Sequence, residues 1–398
     1  GMIGKELVEM LRKQGHEVHF LANSYMGATL DYAKLKDGTI FDYKIYGEMT
    51  HQYFMNILSD HLKQTKSDIL FILLDTFMLY PALMNIDLSP AKSIFWFPSD
   101  GGNGMPKGCE NILKKVNCPI AMAKFGQKQV KDYYGMNTIH IPHGTEPDKF
   151  FKMNDLDRIK LRSQWGLNDK FVVGVVARNQ PRKFLDRTIK VIAKAKDKIP
   201  NITLFLHLDP NDPAQCFDMI GLIRKYNLEN HIVFSGMKAH EGFDWNKMNE
   251  VYNLFDIFLL TTSGEGFGIP IIESMACEVP VLATDYTTTP ELVKENNAGL
   301  GIKLTGTQEI SWQEFFGTDS KYYDKMVENG TILGSWEVER GICDIQDAVD
   351  KLIYLYNNPE IRKQMGSNGR KAVLDKYDFD KIVGPNFEKI FHELSNTN

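Results

Sequence analysis

Short apolar runs alternate with helical patterns along nearly the whole chain, and this alternation constrains the fold more than any other feature. A first series of candidate strands covers 18–21, 69–74, 93–97, 118–121 and 138–141, with helical patterns at 5–13 and 127–134. A second series covers 171–176, 202–208, 232–235, 257–261, 279–283 and 300–302. Strands that alternate with helices form parallel sheets with helices on both faces. Two series of five or six strands therefore predict two doubly wound α/β domains.

The boundary between the domains is predicted in 142–170, a turn-rich and polar stretch. An N-terminal domain would then cover 1–165, and a C-terminal domain would cover 166–378. In the remaining 379–398, apolar residues at helical spacing predict a helix with one apolar face that must pack on another part of the chain. Gly384-Pro385 is expected to break or kink that helix early.

Two irregularities interrupt this pattern. The chain opens on a helix, whereas a doubly wound domain normally begins with a buried strand, so we expect a first strand to be missing. After the strand at 300–302, residues 303–341 form a long polar and aromatic insertion before the next helical pattern at 345–355.

Composition excludes several classes of protein. Lys and Arg number 46 against 51 Asp and Glu, a net charge of −5, whereas nucleic-acid binders carry a basic excess. The five cysteines are odd in number and form no CxxC pair, which argues against a disulfide framework or zinc ribbon and for reduced, cytoplasmic thiols. The sequence shows no pattern of a membrane span or signal peptide, and a peripheral membrane contact stays open.

The glycine-rich segment 263–273 follows the strand at 257–261 and opens a helix. Ligands bind at this position in open α/β sheets. Its glycines allow backbone N–H groups to approach an anion, which the helix N-terminus also favours. Glu265 and Glu273 suit hydrogen bonds to vicinal hydroxyls, as on a sugar and a ribose. The alternative is a solvated loop, with Glu273 as an ordinary helix residue.

A cluster of cations follows the strand at 171–176. Arg178, Arg182 and Lys183 could neutralise a diphosphate whose charge grows as it leaves. The alternative is a solvated turn in which Asp186 caps the helix or pairs locally.

Other candidates carry weaker signals. Gly1 and Gly4, next to the first helix, could bring backbone near phosphates. Asp100 follows the strand at 93–97 and could face the cleft, although turn formation explains it nearly as well. His143 is a candidate substrate contact. The acidic pair at 155–157 resembles a metal-binding pair but lies in the polar linker, and no metal site is expected.

Taken together, these segments resemble the retaining GT-B glycosyltransferases of the family-four type, the glycosyl transferases group 1. Glu265-Gly-Phe-Gly-Ile-Pro-Ile-Ile-Glu273 is similar to the family signature of two glutamates separated by seven residues. The continuation to 293, the cationic segment 176–186 and the linker 141–150 also resemble that family. The match runs from the first helix to the tail and is most specific in the second domain. The resemblance also implies that the helix at 379–398 packs back on the first domain.

This resemblance implies two Rossmann-like domains that face a cleft, with a nucleoside diphosphate sugar held mainly by the second. Such enzymes transfer the sugar to an acceptor hydroxyl with retention of configuration, and the leaving phosphate accepts the acceptor's proton. No cofactor or metal is implied, because cations stabilise that phosphate. Carried onto this sequence, the catalytic residues are Glu265, Arg178, Lys183 and Asp100. The donor-binding residues are Gly1, Gly4, Arg178, Lys183, Gly266, Phe267, Gly268 and Glu273.

The sequence departs from the family at several points, and alternatives stay open. Glu278 stands where the family usually has Gly, and Asp100 lies where relatives often place a His. A GT-B sugar phosphorylase or epimerase, or a non-catalytic sugar-nucleotide-binding subunit, would share the same fold. The sequence identifies neither the base, the sugar nor the acceptor.

Overall fold

The structure is a computed structural model. It describes residues 2–22, 33–34, 40–41, 43–47, 57–75, 83, 86–103, 109–212, 215–238, 242–311 and 337–396. Gly1, a predicted donor-binding residue, lies outside these residues, as do residues 312–336 of the predicted insertion.

The helices follow the sequence pattern, with ends within about one turn of those expected. In chain order they are α1 Met2–Lys13, α2 Leu58–Thr65, α3 Cys109–Lys115, α4 Lys124–Tyr134, α5 Asp155–Gln164, α6 Leu185–Ala195, α7 Met219–Lys225, α8 Trp245–Asn253, α9 Ile269–Ala276, α10 Thr289–Val293, α11 Ile345–Asn357, α12 Pro359–Ala372 and α13 Gly384–Asn396. Two π-helical turns, Val373–Tyr377 and Phe379–Val383, precede α13.

Every predicted strand is present, with each end within two residues of its expected position. The strands are β1 Phe20–Ala22, β2 Ala33–Lys34, β3 Ile40–Phe41, β4 Ile45–Gly47, β5 Ile69–Ile72, β6 Lys92–Phe97, β7 Cys118–Ala121, β8 Ile139–His140, β9 Phe171–Val176, β10 Ile202–His207, β11 Ile232–Phe234, β12 Ile257–Leu260, β13 Val281–Thr284, β14 Gly299–Ile302, β15 Leu304–Ser311 and β16 Glu337–Cys343.

The second half of the chain contains a six-stranded parallel sheet in the order β11-β10-β9-β12-β13-β14. The chain first winds outward from β9 to β11, and then returns to add β12 on the other side of β9. β9 and β12 are therefore neighbours whose onward connections run in opposite directions along the sheet, and such a switch point is where doubly wound sheets bind ligands.

A carboxylate at the start of β12 fixes this strand against its neighbour. Asp256 accepts the backbone N–H of Val172 on β9 at 2.8 Å. It also accepts hydrogen bonds from the guanidinium groups of Arg158 at 2.9 Å and Arg162 at 3.2 Å, both on α5. The linker helix is thus tied to the amino edge of the two strands whose opposite ends form the switch point.

The first half contains a four-stranded parallel sheet in the order β5-β6-β7-β8. β1 and β4 form a separate parallel pair, and β2 and β3 form an antiparallel pair. The prediction of two parallel α/β halves is therefore confirmed. Among the described helices, none is both long and apolar enough to cross a bilayer.

Two chain segments cross between the halves side by side. Thr145 in the linker donates its N–H to the Tyr377 carbonyl at 2.8 Å and accepts the Phe379 N–H at 3.0 Å. Gly144 makes this approach feasible, because a Cβ there would lie 2.9 Å from the Cα of Phe379. The linker and the returning tail are thus joined by two backbone hydrogen bonds.

The tail packs on the first half through aromatic side chains. On α13, the Phe387 ring centroid lies 4.8 Å from that of Trp96 and 5.4 Å from that of Phe71. The expected interruption at Gly384-Pro385 is the point where the π-helical turn ends and α13 begins. Proline is tolerated there because the first turn of a helix needs no N–H donor.

The variant Phe387→Ala tests this docking. We expect it to destabilise the chain by about 3–5 kcal/mol, since it leaves a cavity between buried aromatic rings. Urea unfolding measures the loss. Glu388→Ala, on the exposed side of the same helix, is the matched control and should change stability little. Equal effects of the two variants would contradict the packing described.

Candidate active site

Two loops meet at the switch point and are joined by hydrogen bonds. After β9, the chain makes a short 3₁₀ turn over Pro181–Lys183. After β12, Ser263 donates its N–H to the Arg182 carbonyl at 2.7 Å, and Thr262 donates its hydroxyl to the same oxygen at 3.2 Å. These bonds hold the cationic segment beside the glycine-rich loop.

At this junction, Glu265 forms ion pairs with two cations. Its Oε1 lies 2.6 Å from the Lys183 Nζ, and its Oε2 lies 2.9 Å from the Arg182 Nη1. The Glu265 side chain is only 4% exposed and that of Lys183 only 9%, so each charge is compensated by the other rather than by water. Burial alone would raise the pKa of Glu265, but Lys183 and Arg182 lower it to about 2.

The network extends to a carboxylate of the first half. Asp100, just beyond β6, lies with its Oδ2 3.6 Å from the Arg182 Nε. The Arg340 Nη1, on β16, lies 3.2 Å from its Oδ1 and donates to its backbone carbonyl at 2.5 Å. Charges thus alternate from Arg340 through Asp100, Arg182 and Glu265 to Lys183.

A second carboxylate of the first half, Asp75, also faces this network. It lies just beyond β5; partial desolvation and the charge of Asp100 raise the pKa of Asp75, whereas the charge of Arg182 lowers it. The sequence analysis missed Asp75. The signal available was its position after the apolar run 69–74, where a strand end faces the cleft.

The glycines of the loop have a structural role that the sequence analysis did not consider. A Cβ on Gly264 would lie 2.0 Å from the Asp100 carbonyl oxygen, and one on Gly266 would lie 2.7 Å from the Cβ of Pro98. Only glycine allows the first half to approach this closely. Gly268 has φ +108°, a left-handed conformation, and caps α9.

Threonines after β13 support the loop from behind, and sequence reasoning missed them too. Thr287 accepts the Glu265 N–H on its Oγ1 at 2.9 Å. Thr288 donates its hydroxyl to the Phe267 carbonyl at 2.7 Å. The three consecutive threonines 287–289 after a strand were the available signal.

Glu273 lies on α9 and is buried, and no cation among the described residues pairs with it. The Tyr252 hydroxyl donates to its Oε2 at 2.5 Å. Burial raises the pKa of Glu273 to about 7, and the hydrogen bond from Tyr252 acts in the opposite direction. The two glutamates of one motif therefore have opposite electrostatic surroundings.

Glu6, on α1, brings the first half close to this second glutamate. Burial and a hydrogen bond with Glu146 raise the pKa of Glu6 to about 9. The charge of Glu273 also raises this pKa, whereas the charge of Lys149 lowers it. Sequence reasoning, which considered only the glycines of this helix, missed Glu6.

The remaining predicted residues lie outside the ion-pair network. Arg178 is 61% exposed, and its Nε lies 3.5 Å from the Asp212 Oδ2. Gly4 packs toward β1, with its Cβ position 3.3 Å from the ring of Phe20. His143 is buried between the rings of Trp96 and Phe267, at centroid distances of 4.0 and 5.2 Å.

This arrangement is suited to an anion. Two cations converge beside the glycine-rich loop that leads into α9, and a diphosphate could replace the carboxylate of Glu265 as their partner. In the part of the chain that the structure describes, no three His, Cys, Asp or Glu side chains converge as metal ligands. The acidic pair at 155–157 lies in the first turn of α5, capped by Asn154.

Comparison with known families agrees with this geometry. Residues 157–332 match the family described as glycosyl transferases group 1. The N-acetyl-alpha-D-glucosaminyl L-malate synthase of Bacillus anthracis is 19% identical over 417 residues, which cover 99% of this chain and 93% of that protein. Of several other curated glycosyltransferases that it matches, this chain spans about half the length or less.

Solved structures show the same fold over the whole chain. The sucrose-phosphate synthase of Thermosynechococcus elongatus superimposes with a TM-score of 0.73 at 15% identity, covering 100% of this chain and 94% of that one. Anabaena HepE, solved in complex with UDP and glucose, superimposes with a TM-score of 0.63 at 16% identity, covering 85% and 82%. The expected GT-B fold is confirmed.

The raised pKa of Glu273 predicts a pH-dependent stability. A carboxyl group whose pKa is higher in the folded chain (about 7) than in the unfolded chain (4.5) stabilises at low pH, and this contribution is lost as pH rises through the folded value. Relative to Glu273→Gln, the wild type should therefore be less stable at about pH 8 than at about pH 5, by roughly 1.4 kcal/mol per unit of pKa difference. Urea unfolding at both pH values measures this, and an unchanged difference would contradict it.

Proposed function

We propose that this chain, a glycosyltransferase of the group 1 family with the GT-B fold, transfers a sugar from a nucleoside diphosphate sugar to an acceptor hydroxyl. The proposal includes retention of configuration at the anomeric carbon and a reaction without a metal or other cofactor. It also includes a cytoplasmic location, suggested by the five free cysteines. The acceptor is left unassigned.

The observation that supports this proposal best is the buried ion-pair group of Glu265, Lys183 and Arg182 at the switch point. It combines cations for a diphosphate with a carboxylate for sugar hydroxyls. Glu273, on α9, would accept hydrogen bonds from the ribose hydroxyls. Complexes of Anabaena HepE with UDP and with UDP-glucose are consistent with a nucleotide sugar as donor.

In the proposed reaction, the bond between the anomeric carbon and the phosphate oxygen breaks, and its electron pair stays on the phosphate. The acceptor oxygen bonds to the same face of the anomeric carbon and gives its proton to the leaving phosphate. Lys183, with Arg182 and Arg178, would stabilise the charge that develops on that phosphate. Asp100 would face the sugar from the first half.

The first experiment measures thermal unfolding of the chain with UDP, GDP and ADP and with their sugars. We expect one nucleotide to raise the midpoint selectively, because a ligand at about 100 times its dissociation constant adds about 2.7 kcal/mol. The sugars of that nucleotide are then assayed for release of nucleoside diphosphate. No shift with any nucleotide would contradict the proposed donor site.

Anomer-resolved NMR of the product, with and without EDTA, tests retention and metal independence. Release of sugar phosphate in the presence of inorganic phosphate would indicate a phosphorylase instead. Binding without turnover would indicate a non-catalytic subunit.

Variants of the three cations test their separate roles. Arg182→Met and Lys183→Met each remove one partner of Glu265, so we expect the ligand-free protein to lose about 1–3 kcal/mol of stability. Arg178→Met should keep that stability, because its side chain is largely exposed. All three should reduce the nucleotide-induced shift, whereas Lys194→Met, an exposed cation on α6, is the matched control. A full shift in Arg178→Met would remove that residue from the donor site.

A further inference from the structure

The insertion after β14 reaches across the cleft. Its described strands, β15 and β16, form an antiparallel hairpin with Gln308 opposite Arg340. In such a pair, successive residues direct their backbone groups alternately toward the partner strand and away from it. Glu339 and Gly341 direct theirs away from β15.

The edge of β16 that faces away from β15 forms backbone hydrogen bonds with both halves of the chain. The backbone carbonyl of Glu339 accepts a hydrogen bond from the Gly102 N–H at 3.0 Å. The Glu339 N–H in turn donates to the Gly102 carbonyl at 3.4 Å. Two residues further, Gly341 donates its N–H to the Ser263 carbonyl at 2.9 Å. The hairpin edge therefore joins the loop after β6 to the loop that carries Glu265.

Side chains reinforce the same contact. The Tyr286 hydroxyl donates to the Glu339 Oε1 at 2.7 Å and accepts the Gly102 N–H at 3.1 Å. Gly101 is required for the approach, because a Cβ there would lie 2.2 Å from a methyl carbon of Val338. The fit is thus specific to a loop with glycine at this position.

Arg340 contributes a buried cation to this contact. Its side chain is 6% exposed, while that of Asp100 is 34% exposed. The Nη1 contacts both the backbone carbonyl and the carboxylate of Asp100, so it restrains the residue at two points. Arg182, the other cation beside Asp100, is farther away at 3.6 Å and is already paired with Glu265.

We propose that Arg340 is a positioning residue that holds Asp100 and the loop 98–103 against the donor site, so that the hairpin keeps the cleft closed. This inference rests on the proposed function, which makes the site a donor site. The contact between Arg340 and Asp100 itself does not require a substrate. If a bound diphosphate drew Arg182 away, Arg340 would still hold Asp100. The insertion would then define the acceptor side of the cleft whether or not a donor is bound.

Hydrogen exchange of the full chain, measured by mass spectrometry with and without UDP, tests the contact. In Arg340→Met, we expect the amides of 99–103, the residues of this loop that carry an N–H, to exchange about tenfold faster or more, because a hydrogen bond to a charged group is lost. Amides within the β15–β16 ladder should keep their protection. Gln308→Ala, directly across the hairpin, is the matched control and should change neither region.

A second variant tests the same contact from the other side. Gly101→Ala leaves the hairpin unaltered but prevents the approach of the loop, so it should expose 98–103 to the same degree. Unchanged exchange of 98–103 in Arg340→Met would overturn the proposal. Loss of protection throughout the hairpin in that variant would also overturn it, since Arg340 would then stabilise the hairpin rather than position Asp100.

Steady-state kinetics provide a further test, because a purely structural role of Arg340 would not change kcat selectively. With a sugar donor of the nucleotide that binds, Arg340→Met should lower kcat by about tenfold to a hundredfold and leave the donor KM nearly unchanged. Arg340→Lys should restore part of that loss, because it keeps one donor and the charge. A higher donor KM with unchanged kcat would place Arg340 in donor binding and overturn the assignment. Failure of the transferase proposal would leave the exchange result unaffected.

Discussion

The buried ion pairs of Glu265 with Lys183 and Arg182 are the interaction on which the candidate site depends. Removing these charges from water is costly, and the cost is offset only while all three groups stay in contact. The contact requires the loops after β9 and β12 to lie side by side, which the strand order of the C-terminal sheet provides. The hydrogen bonds of Ser263 and Thr262 to one carbonyl maintain it. The fold thus places a charged group where a ligand can exchange with it.

The first half of the chain completes this site because its approach is unusually close. Among the described residues, the connections that hold it there include the linker paired with the tail at Thr145, the aromatic face of α13, and the outer edge of β16. Glycines at the contact make the short distance attainable, and ion pairs of Asp100 act across it. Asp100 consequently lies within reach of two arginines that belong to the other half.

The two glutamates of the motif show how surroundings assign different roles to one residue type. Glu265 is buried beside cations and stays ionised far below neutral pH. Glu273 is also buried, but among the described residues its carboxylate is hydrogen-bonded by the Tyr252 hydroxyl and not by a cation, so burial raises its pKa to about 7.

Apolar periodicity and loop chemistry are local properties, so the amino-acid sequence predicts the alternation of strands and helices and the two parallel halves, and it marks Glu265 and Lys183 as candidate site residues. Which side chains meet depends on the tertiary structure. Arg182 rather than Arg178 lies against Glu265, and Asp75, Glu6 and the threonines 287–288 lie beside the motif. Arg340 reaches Asp100 across 240 residues. Such contacts depend on sheet order and domain closure, which no local pattern encodes.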